Sequence, residues 1–315
     1  MKPNDFPIIY QDHHLLIVNK PAGLVIHPTY KHADGTMWDA ILDYLAQQGS
    51  DDWQPADLPD DLAWTKAPEH IQVMLREKRI EAFWKKEGLL DRPRLLHRLD
   101  KDTSGIVALA RTVRSCSHII HQFEQHTIVK SYLAVVQKGA PDWTVPQAPL
   151  KITRLLSGKP DSECDQPFTL TNMVGEELVI EGLLKRDPAD RRRCIVGPNG
   201  QYAETVLKML AAEDDFALVE ARPITGRTHQ IRAHLAASGY ALVGDRTYGL
   251  PATPGTPGTA LGRQFLHAYS LELRRYPDNA LCTFVAPLAD DLVVWLERYF
   301  PQWSGAIDAR KTVSA

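Results

Sequence analysis

The chain has 315 residues, enough for a sizeable buried core, and its 36 Lys and Arg against 39 Asp and Glu leave a formal charge of -3. That balance excludes a globally basic protein that coats a polyanion, so any nucleic-acid contact has to come from local charge. No stretch approaches the roughly 18 apolar residues of a membrane span, and four scattered cysteines without a C-x-x-C pair exclude a clustered-cysteine zinc site and a disulfide framework. A cytoplasmic protein with no membrane contact is expected.

In chain order, residues 8–10 and 15–19 are short β-rich runs around a polar turn, and they predict a hairpin stopped by Pro21-Ala22-Gly23. Thr36 is placed to cap a helix in which Trp38, Ile41, Leu42 and Leu45 share one face. Residues 49–93, acidic and Pro-rich at first and then helical with mixed charge, read as an insertion. Cys116, Ile119, Ile120 and Phe123 predict a helix, and "KSYLAVVQ" a strand. Between 139 and 177 repeated prolines predict loops, after which "ELVIEGLL", "QYAETVLKML" and "DFALVEARPI" are three expected strands. "RTHQIRAHLAAS" predicts a helix closed by Gly239; a Pro/Gly-rich loop, the strand "SLELRRY" and a helix through Leu292, Trp295, Leu296 and Tyr299 follow. Grouped strands with interspersed helices predict an α+β fold on a mixed, mostly antiparallel sheet. One domain is expected over 1–303, with a loose tail over 304–315.

"LLHRLDKDTSGIVALART" sets two cations and two carboxylates between apolar runs. Asp100, Asp102, Ser104 and Gly105 match the early positions of a calcium loop, yet Arg111 stands where its bidentate Glu belongs. "DTSG" resembles an aspartic protease motif, but Ser104 replaces a Gly and no second copy supplies the partner acid. A solvated charged turn ahead of a buried strand is the plain alternative. Against it stands Arg232: in a helix beginning near Thr228 it shares a face with Thr228, Ile231 and Leu235, so it points toward the core. A buried cation needs a carboxylate, and Asp100 is the one on offer. The pairing would favour the charged form of the acid, able to act as nucleophile or base.

"KPAGLVIHP", "HRLDKDTSG", "KSYLAVV" and "GRTHQIRAHL" followed by "GDRTYG", in this order, resemble the pseudouridine synthases, and among them the RluA branch that modifies ribosomal and transfer RNA. The similarity runs from Ile8 to about Leu273. It implies a catalytic domain with an RNA cleft, no cofactor and no metal. By position, Asp100 would be the essential aspartate acting at the ribose, Tyr132 the aromatic that stacks on uracil and aids proton transfer, and Arg232 the partner of the aspartate, with Arg227 the less favoured candidate. Arg98 resembles the side chain that enters the RNA stack where the uridine has left; His97, Thr103, Arg227 and His229 are expected at the RNA.

The reaction implied is an isomerisation in which the bond from ribose to uracil breaks and is remade through C5 of the base. The nucleotide has to be flipped out at a cost of a few kcal/mol, which stacking worth about 1–3 kcal/mol on an aromatic can offset. Attack at C1′ and proton removal at C2′ both remain open for Asp100. His229 and His234 are spaced five apart without an adjoining acid, so no zinc site is expected. The basic run at 185–193 is a solvated turn or a phosphate contact. Between Glu220 and Arg275 seven arginines face only three acids, the local excess that an RNA cleft predicts. No room is expected for an N-terminal S4 domain, and the enzyme is expected to be a monomer. A noncatalytic RNA-binding module and a nucleoside hydrolase using the same aspartate are the rivals.

Overall fold

The computed structural model describes residues 7–27, 34–47, 67–156, 158–163, 173–213, 215–251 and 255–303. The acidic start of the expected insertion and the expected tail lie outside these residues.

The first half of the chain runs β1 (Ile8–Gln11), β2 (Leu15–Lys20), α1 (Met37–Gln47), α2 (Glu69–Glu87), β3 (Leu89–Leu95), β4 (Ser104–Thr112), α3 (Val113–Glu124) and β5 (Val129–Lys138). Then come β6 (Lys151–Leu156), β7 (Lys159–Glu163), β8 (Glu177–Arg186), β9 (Cys194–Val196), β10 (Gln201–Glu213) and β11 (Phe216–Pro223). The last part holds α4 (Gln230–Ala237), β12 (Tyr240–Leu242), α5 (Pro257–Ala260), β13 (Leu266–Arg274), β14 (Leu281–Val285) and α6 (Asp290–Tyr299).

These strands form a single sheet in the order β1-β2-β4-β13-β5-β11-β10-β8-β6-β7, with β3 on β4, β9 on β8, β12 on β5 and β14 on β13. Every strand pairing is antiparallel except β4 with β13, so the sheet is mixed and mostly antiparallel and the fold is α+β, as the grouping of strands predicts. Alternation along β5 assigns its two faces. Leu133 and Val135 pack with Leu292, Trp295 and Leu296 of α6, whereas Ala134 and Val136 pack with Ile231 and Leu235 of α4. Tyr132 has the parity of Ala134 and packs on the α4 side. Burying each such leucine or isoleucine stabilises the fold by about 1.5–3 kcal/mol.

The capping residues do what their types predict. Thr36 and Asp39 close the start of α1 reciprocally: the Asp39 carboxylate accepts from Thr36 N at 2.9 Å, and the Thr36 hydroxyl accepts from Asp39 N at 3.4 Å. Thr112 caps α3 by accepting from Ser115 N.

Three expectations need correction. Residues 89–95, counted with the expected insertion, form β3, a strand that among the described residues pairs only with β4, through an irregular register. A proline is tolerated there because an edge strand leaves its missing N–H without a ladder partner. The Pro-rich stretch after residue 139 carries β6 and β7, extending the sheet where loops were expected. The helix predicted from Thr228 starts at Gln230, since His229 takes a left-handed conformation at φ 55°. All eight residues of α4 are buried, its two sides meeting different apolar clusters.

Among the described residues no helix is long and apolar enough to cross a membrane.

Candidate active site

Asp100 lies on the connection between β3 and β4, and the turn that holds it is clamped to the loop after β2. Lys20, without solvent exposure, sends its Nζ to the carbonyls of Pro21 at 2.9 Å, Leu24 at 3.0 Å and Lys101 at 2.8 Å. Gly23 N donates to Lys101 O at 3.0 Å, and Thr103 N to Asp100 O at 3.1 Å. Burial lowers the Lys20 amine to about 7 against the pull of Asp102.

Opposite this turn, α4 presents Arg232. Its Nη1 donates to Asp100 Oδ2 at 2.9 Å, while Nε and Nη2 grip Asp245 Oδ2 and Oδ1 at 2.7 and 2.9 Å. The Asp245 carboxylate has no solvent exposure and also accepts from Thr247 N and Tyr248 N. The Asp100 side chain keeps 26 % exposure, open to a ligand. Burial works against the charge on Arg232, but Asp245 and Asp100 outweigh it and the guanidinium is held more firmly protonated than usual. The Tyr248 ring lies 4.9 Å from that guanidinium, and its hydroxyl meets His229 Nδ1 at 3.1 Å. His229 Nε2 stands 3.8 Å from Asp100 Oδ2; burial lowers its pKa while the charge of Asp100 opposes that.

Asp100, His229 and Arg232 open on a cavity of about 860 Å³, lined also by Tyr132, Lys130 and Arg98. Tyr132 stands opposite Ala221 of β11 and Ala268 of β13, small neighbours that leave room beside the ring. Burial, then the charge of Asp100, raises its hydroxyl well above the ordinary range, so the phenol stays protonated. Lys130, two residues earlier on the same face, has its amine lowered to about 8 by burial and contacts Thr225 O at 3.4 Å. One flat aromatic, a pinned carboxylate and a nearby amine can hold a planar base and act on a sugar attached to it.

A family profile for RNA pseudouridylate synthase matches residues 14–237. The chain belongs to the RNA pseudouridylate synthase family. It is 30% identical over 295 residues to "Ribosomal large subunit pseudouridine synthase D" of Nitrosomonas europaea, and 32% identical over 324 residues to "RNA pseudouridine synthase 2, chloroplastic" of Oryza sativa subsp. japonica. Each match covers 92% of this chain and 64% of the relative, so the chain spans a little under two thirds of these relatives' length. The solved human RNA Pseudouridylate Synthase Domain Containing 1 shares the fold at a TM-score of 0.52 and 18% identity, over 100% of this chain and 99% of that one.

Within this pseudouridylate synthase fold, the three candidates Asp100, Tyr132 and Arg232 meet at one cavity, and Arg232 rather than Arg227 reaches the aspartate. Arg98 is exposed at the rim, and Arg227 is exposed with its Nε on Tyr202 O at 3.0 Å. Two other candidates line the cavity and have local duties as well. His97 Nε2 accepts from Ala108 N at 3.1 Å, and burial lowers its pKa to about 4, so the neutral ring pins the loop to β4. Thr103 is 2% exposed, and its hydroxyl accepts from Gln264 at 3.2 Å. The arginine excess also shrinks on folding: Arg222, Arg263 and Arg275 hold Glu177, Asp291 and Asp278, acids remote from them in sequence or beyond the stretch counted.

Sequence reasoning missed Asp245 and Lys130. The signal for Asp245 was present, because an arginine with five donors in a buried helix is satisfied only in part by one partly exposed carboxylate. For Lys130 the signal was its i, i+2 relation to Tyr132 on a strand.

Proposed function

We propose that the chain converts uridine to pseudouridine in RNA, acting on a nucleotide flipped out of its stack into the Asp100 cavity. The observation that carries the proposal is the pinned carboxylate: Asp100 is oriented by Arg232, which is itself fixed by Asp245, at the edge of a cavity that holds an aromatic ring. In the proposed reaction the bond between C1′ and N1 of uracil breaks, the base turns, and C1′ bonds to C5. The proton on C5 leaves and N1 ends protonated, so atoms balance without an oxidant or cofactor. Asp100 serves the sugar, by attack at C1′ or by taking a proton at C2′. Tyr132 stacks on the uracil, worth about 1–3 kcal/mol against the cost of flipping, and takes part in the proton transfer.

The names of the relatives, a large-subunit ribosomal synthase among them, favour ribosomal over transfer RNA as the substrate. The free thiols of Cys116, Cys194 and Cys282 fit a reducing compartment such as the cytoplasm, with the enzyme acting as a monomer.

The test is Asp100→Asn. Nucleoside chromatography of digested RNA is expected to show pseudouridine with the parent enzyme and none with the variant, while RNA binding persists. Equal binding without product from the parent would leave a noncatalytic RNA-binding module instead. Release of free uracil would identify a hydrolase. Mapping pseudouridine in total RNA from cells with and without the gene would then name the position.

A further inference from the structure

We propose a second nucleotide subsite beside the active cavity, one that takes a neighbour of the flipped uridine; it rests on the RNA reading above. A cavity of about 290 Å³ lies against β8, β9 and the start of β10, and it shares Arg186, Arg227 and Thr228 with the cavity that holds Asp100. Its floor includes Leu184 and Cys194, each 5% exposed, and its rim carries the exposed Asn199 and Gln201. An apolar floor under an amide rim suits the face and edge of a nucleobase.

Charge gives the stronger argument. Nearby Arg192 and Arg193 hold carboxylates, those of Asp190 and Asp187, and their charges are answered within the protein. Lys185, Arg186 and Arg227 have no carboxylate within ion-pair distance among the described residues: Arg186 meets only the carbonyl of Arg191, and the Arg227 guanidinium only that of Tyr202. Three unanswered cations therefore line one short track from the active cavity into the smaller one. Gly197 helps place the first of them, because a Cβ at that position would lie 2.5 Å from the Lys185 Cε. Cations left without internal partners at the mouth of a cavity are what a phosphodiester strand recruits. A strand that leaves the flipped uridine along this track passes successive phosphates over Arg186, Arg227 and Lys185 and seats its next base against Leu184 and Cys194.

The test measures binding of a fluorescent oligouridylate by anisotropy across a salt series, with the parent chain and with the double variant Lys185→Gln/Arg227→Gln. Each phosphate contact on a single strand contributes about 0.7 to the slope of log affinity against log salt, so the double variant is expected to be shallower by about 1.4. Arg298→Gln removes an exposed cation on α6, across the sheet from α4, and is expected to leave the slope unchanged. Thermal melting of each variant confirms that it is folded. An unchanged slope in the double variant overturns the subsite while parent binding upholds the RNA reading. An equal fall in Arg298→Gln also overturns it, since net charge would then explain the effect. Failure of the folded parent to bind the oligouridylate at any salt overturns the RNA reading itself.

Discussion

Asp245 never reaches the solvent, yet it decides where the guanidinium of Arg232 points, and through it the carboxylate of Asp100. Asp245→Asn leaves the shape nearly intact but removes the charge that holds two of the three donating nitrogens. Because small displacements of a reacting group cost about 100-fold, kcat is expected to fall by about that factor with KM for RNA nearly unchanged, as read by single-turnover and steady-state kinetics. Breaking one arm of a buried pair also costs on the order of 3 kcal/mol of stability, measurable by urea unfolding. Asp100 and Arg232 were legible in the sequence because a cation on the inner face of a helix demands an acid. The second acid was not, since helical periodicity shows that a charge is buried without counting how many partners it takes. The local bonds of Thr103 and His97 were not legible for a related reason: polar residues beside an aspartate at a cavity can serve the backbone that carries it as well as a ligand.

Among the elements, the approach of β4 to β13 tolerates little change. Gly105 has φ 113° where the two strands run parallel, and a Cβ there would stand 2.2 Å from the carbonyl oxygen of Ala268. Gly105→Ala is expected to destabilise the protein on the order of 3 kcal/mol and to lower its melting temperature, read by calorimetry. The long strands β5, β8, β10 and β11 were legible because each alternates over a half-buried face or carries a continuous apolar run. β9 and β12, three residues each, and the Pro-interrupted β3 were not. Such segments become strands because a neighbouring strand already offers its edge, a condition absent from their own residues. The start of α4 shifted for a local reason: the Gln230 side chain accepts from Arg227 N and Thr225 Oγ1 and donates to Glu204 O, fixing the helix start at Gln230.

For the whole molecule, three histidines store sensitivity to acid. His97, His234 and His267 are held neutral by burial, each lowered to about 4 from 6.5, and the last two have no solvent exposure. Between those values the unfolded chain binds protons that the fold refuses. Stability therefore falls as pH drops from about 6.5 toward 4 and is unaffected by these groups above that window. Each contributes at most about 1.4 kcal/mol per pH unit, so urea midpoints measured across the window are expected to fall steeply and to level off above it. Counting charges along the chain served the whole molecule less well than it served the motif. Of the seven arginines near the C-terminal motifs, Arg222 and Arg263 are answered by acids that only the fold brings to them and Arg275 by the nearby Asp278, while Arg227 joins Lys185 and Arg186 of β8 at the smaller cavity.

The position of β13 reaches beyond the finished fold. It lies between β4 and β5 in the sheet although it follows both by more than a hundred residues, and it alone separates the strand after Asp100 from the strand that carries Tyr132. During synthesis, therefore, a ribosome has to release the chain through β13 before the two halves can be zipped together. A truncated product ending before Leu266 would leave two sticky borders facing each other across a gap, prone to clump.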